Sequence, residues 1–220
     1  KQFRAEGGCN SFLLGDTRAK KACIIDPRAD ELESYEEFIS ERKLSVALAF
    51  DTHTHADHYS GTHLIAEKFG AHIAMSENTK SARASLKLKD KQFVEVSSDV
   101  GVEVLYTPGH TPDSISFLLK GDWGTAVITG DTLFIGGSGR TDFPGADPTQ
   151  QYESIYKRLG GLPNETWVLP GHDYSDLLFS TIGEERRTNP HWQLKSRDEF
   201  VRVKQAEALE SGGVLSQIVD

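Results

Sequence analysis

Short apolar runs recur along the chain at Ser11 to Leu14, Ala22 to Ile25, Val46 to Phe50, Val102 to Leu105, Ile115 to Leu119, Ala126 to Ile128 and Trp167 to Leu169. Most are closely followed by Gly, Asp or Pro, so they predict strands ended by turns. Between them, over Glu31 to Arg42, Thr62 to Phe69, Gln150 to Leu159 and Arg197 to Ala208, apolar residues return at three- and four-residue intervals, the period of a helix with one buried face. In the first of these Leu32, Tyr35 and Phe38 share a face while Glu33, Glu36, Glu37 and Glu41 look outward, the pattern of a helix packed on a sheet. A strand-rich beginning followed by a stretch that mixes both elements predicts an α/β protein with two sheets and helices outside them.

No internal repeat, low-complexity tract or linker divides the 220 residues, so the expectation is a single domain over 1–220. No apolar run approaches the roughly 20 residues that cross a bilayer, and no membrane partner is expected. The net charge of −9 disfavours nucleic acid. The densest basic clusters, Arg18 to Lys21, Lys87 to Lys91 and Glu184 to Arg187, are mixed or brief and read as solvated faces. Cys9 and Cys23 are far apart, which indicates neither a disulfide framework nor a cysteine-ligated zinc and suits a reducing, cytoplasmic compartment. The chain starts at Lys1 rather than Met, which is compatible with a leader ahead of it and with an organellar address. The sequon Asn164-Glu165-Thr166 is read as chance.

Candidate chemistry concentrates after the third run. Thr52-His53-Thr54-His55-Ala56-Asp57-His58 puts four candidate ligands within six residues at the end of a strand, and neutral imidazole with carboxylate is a donor set that holds zinc, iron or manganese. Three later segments repeat the order strand, glycine, ligand: Leu105 to Gly109-His110, Val127 to Gly130-Asp131, and Val168 to Gly171-His172. A ligand at a strand end is held by the rigid sheet, and the glycine lets the backbone pass close to an ion.

His-x-His-x-Asp-His followed by Gly-His, Gly-Asp and Gly-His in that order resembles the metallo-β-lactamase superfamily, from about Asn10 to Pro190. The resemblance implies an αββα four-layer sandwich with a metal site along one edge of its sheets. Within that superfamily Gly139-Arg140-Thr141-Asp142-Phe143, His172-Asp173-Tyr174 and Ser180 to Pro190 look like the persulfide dioxygenases, with glyoxalase II enzymes as the alternative. Ser138 departs from the cysteine common at that place in both groups.

The dioxygenase resemblance implies one Fe(II) per chain on His53, His110 and Asp131, with the remaining coordination positions left for water, substrate and dioxygen. It implies that glutathione persulfide is oxidised to sulfite and glutathione, with His55, Asp57, His58 and His172 orienting ligands and moving protons. The glyoxalase resemblance implies that the same groups complete a centre of two zinc or iron ions for thioester hydrolysis. Arg140 and Tyr174 are the candidate substrate-binding residues, Arg140 because guanidinium meets carboxylate bidentately; the plainer reading of Arg140 is an ion pair with Asp142 or Asp131. Expected partners are small molecules, with a homodimer as the assembly entertained. Ser138 is read as a turn residue, Cys9 and Cys23 as small buried hydrophobes, His63, His72 and His191 as surface or helix-packing residues, and Tyr106 as core or rim, with lining the pocket beside the Thr107 to His110 turn as its alternative.

Overall fold

The computed structural model describes residues 1–175 and 177–210. Its first sheet runs β1 (Gln2–Arg4), β2 (Asn10–Asp16), β3 (Lys21–Ile25), β4 (Ser45–Phe50), β5 (His72–Ser76) and β6 (Leu86–Leu88) in spatial order. β1 to β3 pair antiparallel, and β3 to β6 pair parallel. The crossovers from β3 to β4 and from β4 to β5 are made by α1 (Leu32–Arg42) and α2 (Thr62–Phe69). The second sheet lies in the order β12 (Ser180–Thr181), β11 (Trp167–Pro170), β10 (Gly124–Gly130), β9 (Ile115–Gly121), β8 (Gly101–Tyr106) and β7 (Phe93–Glu95), with only β10 and β11 parallel.

Strand alternation builds the layers. On β3, Cys23 and Ile25 enter one cluster with Phe50, Phe117 and Ile128, while Ala22 and Ile24 enter another with Tyr35, Ile39 and Ile65. The first cluster lies between the sheets; the second lies under α1 and α2. On the second sheet Phe117, Ala126 and Ile128 face inward, and Leu118 and Val127 face a third cluster with Ile155, Ile182, Trp192 and Phe200. That outer layer is α3 (Pro148–Glu153), α4 (Ile182–Thr188) and α5 (Arg197–Glu210). Both sheets are therefore covered on both faces in the order α, β, β, α, as expected of the resemblance.

The helix expected over Gln150 to Leu159 starts earlier, because Asp147 accepts the Thr149 and Gln150 N–H groups and Pro148 occupies the first turn. It then widens into a π-helical segment, Ser154–Arg158, and a 3-10 turn, Leu159–Gly161. The inter-sheet core contains the Phe50 and Phe117 rings, 4.9 Å apart and both fully buried. No helix among the described residues is long and apolar enough to cross a membrane.

Candidate metal centre

The histidine-rich segment follows β4, and Asp26, at the end of the neighbouring β3, organises it. Thr52 donates its N–H to Asp26 Oδ1 at 2.7 Å and its hydroxyl to Asp26 Oδ2 at 2.8 Å. With its proton committed, the Thr52 oxygen accepts from His53 Nδ1 at 2.9 Å. That contact fixes the His53 tautomer and leaves Nε2 with a lone pair, and Nε2 is buried without a partner. Burial, then the charge of His55, pull His53 down to about 3, so the ring is neutral near pH 7 and suited to a metal.

His110 stands in the turn between β8 and β9. It donates Nδ1–H to the Arg140 carbonyl at 2.7 Å, which again leaves Nε2 as the bare nitrogen, 3.7 Å from Asp131 Oδ2. Asp131 follows β10. Burial opposes its charge, but His172, His53 and His110 outweigh burial and hold the carboxyl well below its usual range. The ligand atoms of His53, His110 and Asp131 lie within 4.8 Å of one another. Two imidazoles with fixed tautomers, one of them orphaned, and an ionised carboxylate fit a divalent cation.

Beside this trio lies a second cluster. His172 Nδ1 meets Asp131 Oδ1 at 2.8 Å, and His172 Nε2 meets Asp57 Oδ2 at 3.0 Å. His58 Nδ1 lies 3.0 Å from Asp57 Oδ2, and its Nε2 has no partner. Burial lowers His172, but Asp131, Asp57 and Cys9 raise it by more, well above the ordinary imidazole range. His55 turns the other way: Nε2 lies 3.2 Å from Asp26 Oδ1 and 3.6 Å from Asp51 Oδ1, and both carboxylates raise it against its burial.

Two close approaches hold the edge together. Gly130 has φ +49°, and a Cβ there would lie 2.5 Å from Thr52 Oγ1; a Cβ on Gly171 would lie 2.7 Å from Asp131 Oδ1. Ile115 N–H donates to the Thr52 carbonyl at 2.8 Å, and Asn10 N–H to the Gly171 carbonyl at 2.8 Å, so the sheets are tied to each other beside the ligands.

Arg140 and Tyr174 line a cavity of about 310 Å³ with His110, Asp131 and His172. Arg140 pairs with Asp142, its Nε 3.0 Å from Oδ1, as in the plainer reading; Asp131 pairs with histidines instead. Tyr174 is exposed, its ring stacked 6.0 Å from that of His172. A larger cavity of about 490 Å³ opens past His110 toward Asn78 and Lys80.

Cys9 is buried as expected, but the reading of it as an apolar packing residue needs correction. Its Sγ lies 3.1 Å from His172 Nε2, 3.6 Å from Asp57 Oδ2 and 3.0 Å from Arg28 Nη1, because Cys9 forms an isolated bridge with His172 at the mouth of the second cluster. Cys23 is fully buried between the sheets. Tyr106 bonds the Pro112 carbonyl and lines a separate groove. Sequence reasoning missed Asp26, although Cys23-Ile24-Ile25-Asp26 has the same order of apolar strand and then carboxylate that exposed Asp131.

The family model described as the metallo-beta-lactamase superfamily matches residues 4–172. The human mitochondrial persulfide dioxygenase ETHE1 is 33% identical over 193 residues, 88% of this chain and 74% of that protein. A probable hydroxyacylglutathione hydrolase of Schizosaccharomyces pombe is 31% identical over 218 residues, 86% of this chain and 84% of its own. Among solved structures, ETHE1 from Myxococcus xanthus superposes with a TM-score of 0.87 at 37% identity, covering 93% of this chain and 89% of the other.

Proposed function

The chain belongs to the metallo-β-lactamase superfamily and, within it, to the persulfide dioxygenases, and from that premise we propose that it oxidises glutathione persulfide at one Fe(II) held by His53, His110 and Asp131. The reaction balances as R–S–SH + O₂ + H₂O giving R–SH and sulfite with two protons: the S–S bond breaks, the terminal sulfur is oxidised and dioxygen is reduced. The observation that carries the reading is the buried, unpartnered His53 Nε2 grouped with His110 and Asp131.

Ferrous iron, when bound, would supply the electrons that activate dioxygen, which no side chain here provides, and a Lewis-acid site for a sulfur anion. The chain's own groups do the rest. His172, between Asp131 and Asp57, holds a proton within reach of the cavity and can return it to the departing thiolate. His55, fixed on Asp26 and Asp51, and Asp57 with His58 orient the neighbouring rings. Phe134 and Phe143 wall the cavity and limit water. Arg140, braced on Asp142, brings a positive charge to the cavity wall for a glutathione carboxylate, and Tyr174 adds a phenolic hydrogen bond. A reducing compartment suits the free thiols of Cys9 and Cys23.

A second reading, glyoxalase II-type thioester hydrolysis with two metal ions, is favoured by the grouping of Asp57 with Cys9 and His172, and with His55 and His58. Anaerobic purification, metal quantification and parallel assays separate the two. One iron per chain with matched oxygen uptake and sulfite release supports the dioxygenase. Two metals per chain, hydrolysis of a hydroxyacylglutathione thioester and no oxygen uptake overturn it.

A further inference from the structure

Behind the loop that carries Arg140 runs a closed circuit of polar contacts that the proposed chemistry does not use. Ser138 Oγ lies 2.8 Å from His191 Nδ1, and His191 Nε2 lies 2.7 Å from Glu207 Oε1. The other oxygen of Glu207 pairs with Lys204 Nζ at 2.7 Å, and that ammonium reaches back to the Ser138 carbonyl at 3.5 Å. Serine is thus gripped twice, once through its hydroxyl and once through its backbone. Asn189 extends the grip, donating to the Gly137 carbonyl at 2.9 Å while its own carbonyl oxygen accepts the His191 N–H at 2.9 Å.

Serine, imidazole and carboxylate in this order are the parts of a nucleophilic triad, but the surroundings do not suit one. Ser138 is 7% exposed, and the cavity of about 180 Å³ next to it is lined by Arg140, Thr141, Asp142, Lys204, Glu207 and Ala208, with neither Ser138 nor His191 on its wall. A nucleophile without access does no chemistry. What the circuit does hold is a position. Phe200, Lys204 and Glu207 recur at helical spacing on α5; Phe200 is fully buried in the outer core and Lys204 is 2% exposed. Burying an ammonium is costly unless it is paired, so this lysine is stable there only with Glu207 and the Ser138 carbonyl in place.

Two residues beyond Ser138, Arg140 lies on the wall of the proposed substrate cavity and of the smaller cavity beside Lys204, and it fixes the His110 ring with its carbonyl. We infer that Lys204, Glu207 and His191 are positioning residues: they brace the 138–143 loop from behind, so that α5 sets how firmly the substrate's carboxylate end is held. The inference rests on the reading of Arg140 as a glutathione-binding residue.

Lys204→Met and Glu207→Gln break the circuit on opposite sides of one ion pair, and Lys204→Arg conserves the charge. Hydrogen exchange of residues 136–143 on the metal-free protein needs no substrate and reads the brace directly: exchange rises roughly tenfold in the first two variants, with β10 and β11 unchanged. On the iron-loaded protein KM for glutathione persulfide rises about tenfold while kcat and iron content stay within roughly threefold, and Lys204→Arg recovers most of the KM. Unchanged exchange in both Lys204→Met and Glu207→Gln overturns the brace, as does a fall in kcat with lost iron at constant KM. If the wild type leaves the persulfide untouched, the dioxygenase reading has failed, yet exchange still decides the brace and the KM comparison moves to the glutathione thioester.

Discussion

His172 Nδ1 sits 2.8 Å from Asp131 Oδ1, while Asp131 Oδ2 faces His110 Nε2 at 3.7 Å. One carboxylate therefore serves both clusters, with an oxygen for each. Asp131→Asn replaces one of those oxygens by a donor and removes the negative charge that three imidazoles share. The expected outcome is loss of bound metal and a fall in persulfide oxidation of at least about a thousandfold. His172→Ala should cost roughly 10 to 100-fold in metal affinity or activity, since it removes an orienting partner rather than one of the three grouped ligands. Metal analysis beside sulfite release checks both; an Asp131→Asn protein with full metal content would sink the ligand assignment.

Gly171→Ala tests the close approach at the end of β11. The added methyl would sit 2.7 Å from Asp131 Oδ1 and 3.0 Å from the Gly130 carbonyl carbon. Overpacking of this kind costs about 1–3 kcal/mol. Because the displaced atom belongs to a candidate ligand, metal affinity should fall by more than the urea midpoint of the metal-free protein reflects; equal metal affinity in the two proteins would contradict this.

Phe50→Ala and Phe117→Ala probe the layer between the sheets. Each removes a fully buried ring whose partner is 4.9 Å away, and each should destabilise by roughly 3–5 kcal/mol. The double variant should cost less than the sum, since the second truncation removes contacts the first has already lost. Denaturant unfolding of all three proteins reads the coupling.

The grouping of the candidate metal-site residues was legible in the sequence because each follows an apolar strand, and a strand end is a fixed point in space. His110, Asp131 and His172 announced themselves by an adjacent glycine, and His53 by its cluster. The short strands β1, β5, β6, β7 and β12 were not anticipated: most are three residues or fewer and lie toward the sheet margins, where polar residues interrupt the apolar run. Lys204 escaped for a different reason. A lysine on a charged helix reads as solvated, and only tertiary packing beside Phe200 reveals that its ammonium is enclosed. Cys9 was misread because cysteine is commonly a packing residue, and its imidazole neighbours lie 163 and 49 positions away along the chain for His172 and His58, which both act on its thiol.

The two thiols should differ sharply toward an alkylating reagent in the metal-free protein. Burial pushes Cys9 up, but His172 and then His58 pull it down by more, to about 6. Burial alone dominates Cys23, pushed up to about 12. The reactive thiolate exists above the pKa, so modification of Cys9 should rise through pH 6 and level off, while Cys23 stays unmodified in the folded state. Mass spectrometry of iodoacetamide-treated protein across pH checks this, and a Cys9 profile still climbing above pH 8 would refute it.

Acid should weaken the contact between α5 and the Arg140 loop. Burial raises Glu207, but His191 and Lys204 lower it further, from 4.5 to about 2. A carboxylate with a depressed folded pKa contributes stability that is present above about 4.5 and lost as pH falls toward 2. Melting temperatures of the wild type and Glu207→Gln should differ most near pH 6 and converge as pH falls from about 4.5 toward 2; a constant gap would show that the charge of Glu207 is irrelevant.

His53 hangs from the first sheet, whereas His110, Asp131 and His172 hang from the second. A cation gripped by both acts as a clasp across two halves of the molecule, and each tenfold excess of free metal over its dissociation constant adds about 1.4 kcal/mol to the folded state. Supply of the ion and lifetime of the polypeptide are then linked, because the metal-free protein opens more often and is cut sooner by proteases.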